Sequence, residues 1–284
     1  MSGGVLVFLG AVFWSLNSPL VKYLTLDSLL ICGLRSLIAG VTLAAAIRPK
    51  QLKWNGWMAV YVCSYAGLCI SIILALGSTS APVAIGMQYT AAIWLFLVGL
   101  LTTHRFHVRT FIPVLIISIG VVFFMCSGND SASQTGNLIA LTEGIFFALM
   151  TVSAKKVAGT NPIGLTAVAN LFTGIITFLL FPGAPANITA MTTTDWGIML
   201  VLGVVQIGAG YACYNMGIQR ITAQKASVIA LWEMILGPIW VALFLKEYPT
   251  PMVLTGFVII LIGMLLDAIM GVKQPGCSPA KHSS

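Results

Sequence analysis

The segment ALWEMILGPIWVALFLKEYP, residues 230–249, holds Glu233 inside an apolar run and Glu247 just past its end. A carboxyl in such surroundings has two chemical uses: it can take up and release a proton, or it can balance a cationic guest. Three more ionisable residues share the setting: Arg35 in LICGLRSLIAG, Glu143 in GNLIALTEGIFFALM and Asp267 in LIGMLLDAIM. Each costs about 2.5 to 3.5 kcal/mol in hydrocarbon on insertion scales, so such groups face a protein interior and become functional candidates. Asp267 lies at the end of its run, where Lys273 or lipid headgroups come within reach, and is left out of the site.

Arg35 and Glu143 fall about seven residues from the ends of their runs, at a similar depth of roughly 10 Å. An ion pair between them would satisfy both groups. Such a pair serves equally as a structural brace or as a clamp for substrate. Glu233 is expected nearer the midplane without a counter-charge, where hydrocarbon favours a neutral, protonated carboxyl. It can then couple proton and substrate movements, or hydrogen-bond a carbonyl freed by Pro238.

Around these groups stand Trp14, Asn17, Tyr89, Trp94, Tyr211, Tyr214 and Trp232, with Trp240 nearby. Flat aromatic faces hold ammonium groups or other rings. The cavity-wall reading competes with lipid packing, which is preferred for Trp54, Trp57 and Trp196 at the ends of the apolar runs. Substrate contacts are therefore expected from Trp14, Asn17, Tyr89, Trp94, Tyr211, Tyr214, Trp232 and Glu233, and coupling or ion pairing from Glu233, Glu143 and Arg35.

Other chemistries lack their parts. There is no His-Glu-x-x-His zinc motif, no Gly-x-x-x-x-Gly-Lys phosphate loop and no aspartate cluster for metal-bound diphosphate, so neither an enzyme nor a bound metal or cofactor is expected. The histidines His104, His107 and His282 lie in a connection and the tail. The six cysteines have no paired spacing and read as small packing residues. The +7 net charge is spread singly along short connections, which excludes a nucleic-acid patch and points to a lipid bilayer as partner.

The elements that position these residues follow from composition. With 58% hydrophobic and 7% charged residues and a mean hydropathy of +1.00, the chain cannot cover a water-exposed surface. Its apolar blocks have the length of membrane-spanning helices, at approximately 3–24, 28–47, 57–77, 82–102, 108–127, 136–156, 162–181, 196–218, 223–245 and 251–271. The first block has no basic leader and is expected to remain as a helix. If residue 1 lies in the cytoplasm, eleven of the fourteen basic residues fall on that side, so both termini are expected there, in the cytoplasmic membrane.

A shift of 133 lays GGVLVFLGAVFWSLNSPLVK (3–22) over GNLIALTEGIFFALMTVSAK (136–155), pairing Phe13 with Phe146 and Lys22 with Lys155. A shift of 143 sets Tyr89 on Trp232, Thr90 on Glu233 and Gly120 on Gly263. The expected fold is an all-α integral membrane protein of ten transmembrane helices in two inverted five-helix repeats, residues 1–130 and 131–272, with a tail at 273–284. Five crossings per half force the halves into opposite orientation, a mark of transporters whose site lies between the repeats.

On these features the chain resembles the drug/metabolite transporter superfamily, in particular its EamA-type bacterial exporters. Glu233 and Glu247 take the family's two glutamate positions and Gly263 its late glycine, while Met234 replaces the expected proline and Tyr248 the expected arginine. The resemblance also favours a structural role for Arg35. It implies a secondary transporter working by alternating access, which exports a small amphipathic metabolite such as an amino acid or related amine, with or without protons, as a monomer or homodimer. An uncoupled facilitator is the alternative, then a membrane scaffold or enzyme.

Overall fold

The computed structural model describes residues 1–104, 106–127, 131–157, 159–218, 220–221 and 223–270. The tail at 273–284 and the proposed division between 130 and 131 fall on or beside residues outside that set. Among the described residues ten helices are long and apolar enough to cross a membrane: α1 (Gly3–Tyr23), α2 (Ser28–Ala46), α3 (Gly56–Ser78), α4 (Ala81–Thr102), α5 (Val108–Cys126), α6 (Gln134–Ala154), α7 (Pro162–Leu180), α8 (Thr193–Ile218), α9 (Val228–Leu245) and α10 (Pro251–Met270). Hydrocarbon offers no partners to backbone N–H and C=O groups, so each block closes its hydrogen bonds internally as a helix.

Short polar residues start several of them by accepting from free N–H groups. Asp27 accepts from Leu29 and Leu30 at 2.9 and 3.1 Å, Asn55 from Met58 at 3.0 Å, and Asn161 from Ile163 and Gly164 at 3.2 and 3.3 Å. At the head of α8, Thr192 and Asp195 form a reciprocal capping box.

Two spans expected as single helices are interrupted. α1 breaks at Leu16, between Gly3–Ser15 and Asn17–Tyr23. Pro19 has no N–H to offer the Ser15 carbonyl four residues back, and the Leu16 N–H turns instead to Phe13 at 3.2 Å. α4 tightens into a 3₁₀ turn over Gln88–Thr90, where the Thr90 hydroxyl donates to the Met87 carbonyl at 2.7 Å. α8 widens into π-type winding over Val201–Ala209, whereas α5 and α9 run through Pro113 and Pro238 without a break.

The packing obeys the internal repeat. α3 lies along α6 and α1 along α8; α4 meets α6 and α1 meets α9; α3 meets α7 and α2 meets α8; α5 packs on α10 and α2 on α7. Replacing every helix by the one five later or earlier returns the same set of pairs. The α5–α10 seam repeats this at the level of residues. A methyl group on Gly120 would lie 2.6 Å from Ile260 Cγ1 and 2.8 Å from the Gly256 carbonyl oxygen. One on Gly263 would lie 2.7 Å from Ile117 Cγ1 and 3.2 Å from the Pro113 oxygen. The second set of contacts is the first with each partner exchanged through the 143-residue shift, so both helices need glycine at that point to touch.

Connections gather on two faces as ten crossings require. On the face of the N-terminus, the Asn161 N–H donates to the Gln51 carbonyl at 3.0 Å and Arg220 Nη1 to the Met1 carbonyl at 3.1 Å. On the opposite face, Lys22 Nζ meets Glu247 Oε2 at 2.9 Å. Trp54 and Trp57 are exposed on the first face and Trp196 on the second, as expected of interfacial anchors.

Candidate functional site

α1 and α8 build the centre of the site. Trp14 packs on Tyr211 and Tyr214 with ring centroids 4.9 and 4.8 Å apart. This approach depends on Gly210, because a Cβ there would lie 2.7 Å from the indole ring. Tyr211 in turn faces Tyr65 of α3 at 6.4 Å, and Tyr65 stacks with Tyr61 at the same spacing. The Tyr65 hydroxyl accepts from Asn170 Nδ2 at 2.9 Å. The result is a continuous band of aromatic rings across α1, α3 and α8.

Glu233 borders this band from α9. Its charge reaches Tyr89 on α4 and Tyr211 and Tyr214 on α8. Tyr89 sits in the tightened Gln88–Thr90 turn and is buried. Glu233 is half-buried, and among the described residues its carboxylate has no ion-pair partner. Aromatic faces near a carboxylate are of the kind that attract cations.

Arg35 reaches the same region from α2. It is 3% exposed, and its Nη1 donates to Asn17 Oδ1, one turn along α1 from Trp14. Cys69 lies beside both Arg35 and Tyr65, which links the guanidinium to the tyrosine band. The expected ion pair with Glu143 does not form. Glu143 is fully buried on α6, and neither of its carboxylate oxygens has a hydrogen-bond partner. The reason lies in the packing: α2 is occupied by α7 and α8, whereas α6 lies against α3 and α4, so equal depth does not bring the two charges together.

Trp232 also departs from expectation. It is 44% exposed and sits edge-on to Phe8 at 5.8 Å on the outer surface, because Glu233 and Trp232 are adjacent on a helix and cannot both face inward. Trp94 is half-buried with its indole N–H enclosed and unpaired, without a ring contact to the band among the described residues. Trp240 braces α9 on α1 through a 3.0 Å hydrogen bond from its indole N–H to Ser15 Oγ.

Three residues of the site escaped the sequence reading. Tyr61 and Tyr65 lie four apart in YVCSY and so share one helical face. Asn170 belongs to a buried polar stripe with Thr166, Thr173 and Thr177 on α7. The spacing of both groups carried the signal.

Residues 134–267 match the EamA-like transporter family. The chain is 24% identical to an uncharacterized transporter of Clostridium kluyveri, with 93% of this chain and 92% of that protein aligned. It is 23% identical to the uncharacterized transporter YwfM of Bacillus subtilis, with 98% and 97% aligned. A protein of known crystal structure shares the fold, with a TM-score of 0.64 over 96% of this chain and 99% of that one at 15% identity. With ten helices among the described residues fit to span a bilayer, a second half similar to the EamA-like transporter family and relatives named as transporters along nearly its whole length, the chain is a membrane transporter.

Proposed function

We propose that the protein moves a small amphipathic metabolite bearing a cationic group, an amino acid or related amine, across the cytoplasmic membrane by alternating access, in the direction of export. The observation that carries this reading is Glu233 itself: a half-buried carboxylate in a spanning helix without an ion-pair partner among the described residues, whose charge reaches Tyr89, Tyr211 and Tyr214. A lone carboxylate in hydrocarbon is stable as the neutral acid or when paired with a cation. A substrate ammonium and a proton therefore compete for it, and that competition couples their opposite movements. The basic connections favour the N-terminal face as the cytoplasmic one.

The test is flux in proteoliposomes with an imposed pH gradient, comparing the native chain with Glu233→Gln. The amide keeps the shape of the side chain and loses the exchangeable charge. Gradient-driven accumulation should fall by about tenfold or more, which corresponds to one charge-assisted hydrogen bond. Full accumulation by the variant would remove Glu233 from coupling.

A further inference from the structure

We propose that the basic lobe formed by the α2–α3 and α6–α7 connections is a binding surface for the phosphate headgroup of an anionic phospholipid. The two connections contribute Arg48, Lys50, Lys53, Lys155 and Lys156, and neither contains an acid. Arg48, Lys50, Lys53 and Lys156 are exposed. The proposal goes beyond the transport reading and does not depend on it.

The lobe is held in shape by bonds between the two halves of the chain. The Asn161 N–H donates to the Gln51 carbonyl at 3.0 Å, and Asn161 Nδ2 donates to the Ala46 carbonyl at 2.9 Å. Leu52 and Val157 are buried and anchor the two segments. Lys53 of the first half is thereby laid against the second: its Nζ is 3.6 Å from the position a Cβ would take on Gly159, three residues past Lys156. Lys156 reaches the other way, with Nζ 5.7 Å from the centre of the Trp57 ring. One lysine from each half therefore rests on the other half's connection, and like charges gather in one patch.

Gathering like charges costs free energy unless an anion shares the space. Among the described residues the acids are placed elsewhere. Asp27, Asp195 and Glu247 lie on the opposite face, Glu143 and Glu233 within spans, and Asp267 on α10, which packs on α4, α5 and α9. The depth of the patch selects the anion. Trp57 stands in the first turn of α3, and Trp54 is fixed by its indole N–H to the Pro49 carbonyl at 3.2 Å. Both are exposed, and exposed tryptophans collect where hydrocarbon gives way to headgroups. An ammonium resting on Trp57 is thus at the level of lipid phosphates, and basic clusters that flank spans attract anionic lipid. Because the Asn161 bonds already hold the patch together, a headgroup has little chain left to order on binding.

The test follows the melting temperature of the purified, delipidated full chain in neutral detergent as phosphatidylglycerol, phosphatidylcholine or inorganic phosphate is added. Phosphatidylglycerol should raise it by about 2 to 4 °C above the phosphatidylcholine control. In the double variant Lys53→Gln, Lys156→Gln, the lipid concentration giving half of that rise should increase about tenfold. The double variant Arg109→Gln, Lys225→Gln removes the same charge from the same face outside the lobe and should titrate as the native chain does. A photoreactive phosphatidylglycerol should label residues 48–57 and 155–161 of the native chain.

An equal rise with phosphatidylcholine, or none with either lipid, would overturn the inference. Equal losses in the two double variants would do so too, by showing a diffuse attraction of the whole basic face. A full rise with inorganic phosphate alone would identify a soluble anion and overturn the assignment to lipid. If the lobe variant does not fold, the labelling decides, and label spread over the other connections counts against the lobe. None of these outcomes bears on solute flux, so the transport reading stands or falls separately.

Discussion

Asn17 holds a buried cation with an uncharged side chain, and the consequences can be separated by substitution. Asn17→Leu removes the acceptor of Arg35 Nη1 and should destabilise the detergent-solubilised protein by about 1.5 to 3 kcal/mol, the range for a hydrogen bond to a charged group, read as a lowered melting temperature. Asn17→Asp places a permanent counter-charge in the same position. Its melting temperature should equal or exceed the native one, because the guanidinium then has a counter-ion. A raised melting temperature would mark a cation short of acceptors in the native chain; a lowered one would mark a pocket shaped for the neutral amide. The Tyr65–Asn170 bond at 2.9 Å supports a similar, smaller expectation for Tyr65→Phe, which leaves the ring band in place and removes one buried acceptor.

At the level of elements, the α5–α10 seam is the most sharply determined contact. Gly120→Leu drives a side chain into Ile260 and the Gly256 backbone, and Gly256→Leu meets Phe124 and the Gly120 backbone. Either should cost about 1 to 3 kcal/mol by overpacking, with expression and melting temperature as the measures. Because the seam lies away from the tyrosine band, folded protein recovered from Gly120→Ala should retain substrate preference.

The elements are also the most legible part of the sequence. Blocks of some twenty apolar residues locate the ten spans, and the 143-residue shift pairs Gly120 with Gly263 without any view of their contact. Rotation about each helix axis and choice of neighbour are not legible. Hydrophobicity surrounds these helices on all sides, so periodicity gives little indication of the inward face. Sequence alone therefore turns Trp232 inward beside Glu233 and passes over Tyr61 and Tyr65. Depth along the normal follows from position in a block, but adjacency across the bundle does not, and the expected Arg35–Glu143 pair fails for that reason. The interruption at Leu16 is foreshadowed by Pro19, whereas the turn at Gln88–Thr90 has no proline at the break and arises in the packed structure.

For the whole molecule, the distribution of basic residues predicts which face meets the cytoplasm. A cysteine introduced at Tyr248, 76% exposed in the connection between α9 and α10, should react with a membrane-impermeant maleimide added to intact cells. One introduced at Trp54, 63% exposed on the other face, should react only after permeabilisation. The reverse pattern would invert the topology while leaving the helical arrangement unchanged.

The Lys22–Glu247 bond ties the end of the first helix to the strap that follows the ninth, beside a cavity of about 50 Å³ bordered by Ser80, Pro82 and Pro238. That volume admits a water molecule or two and no metabolite. With Glu247 side-chain exposure at 52%, the latch is half in water, where such pairs contribute about 0 to 1 kcal/mol and weaken as ions accumulate. Salt in the medium bathing that face therefore slackens the tie, and the two helix ends it joins should hold together less firmly as ionic strength rises.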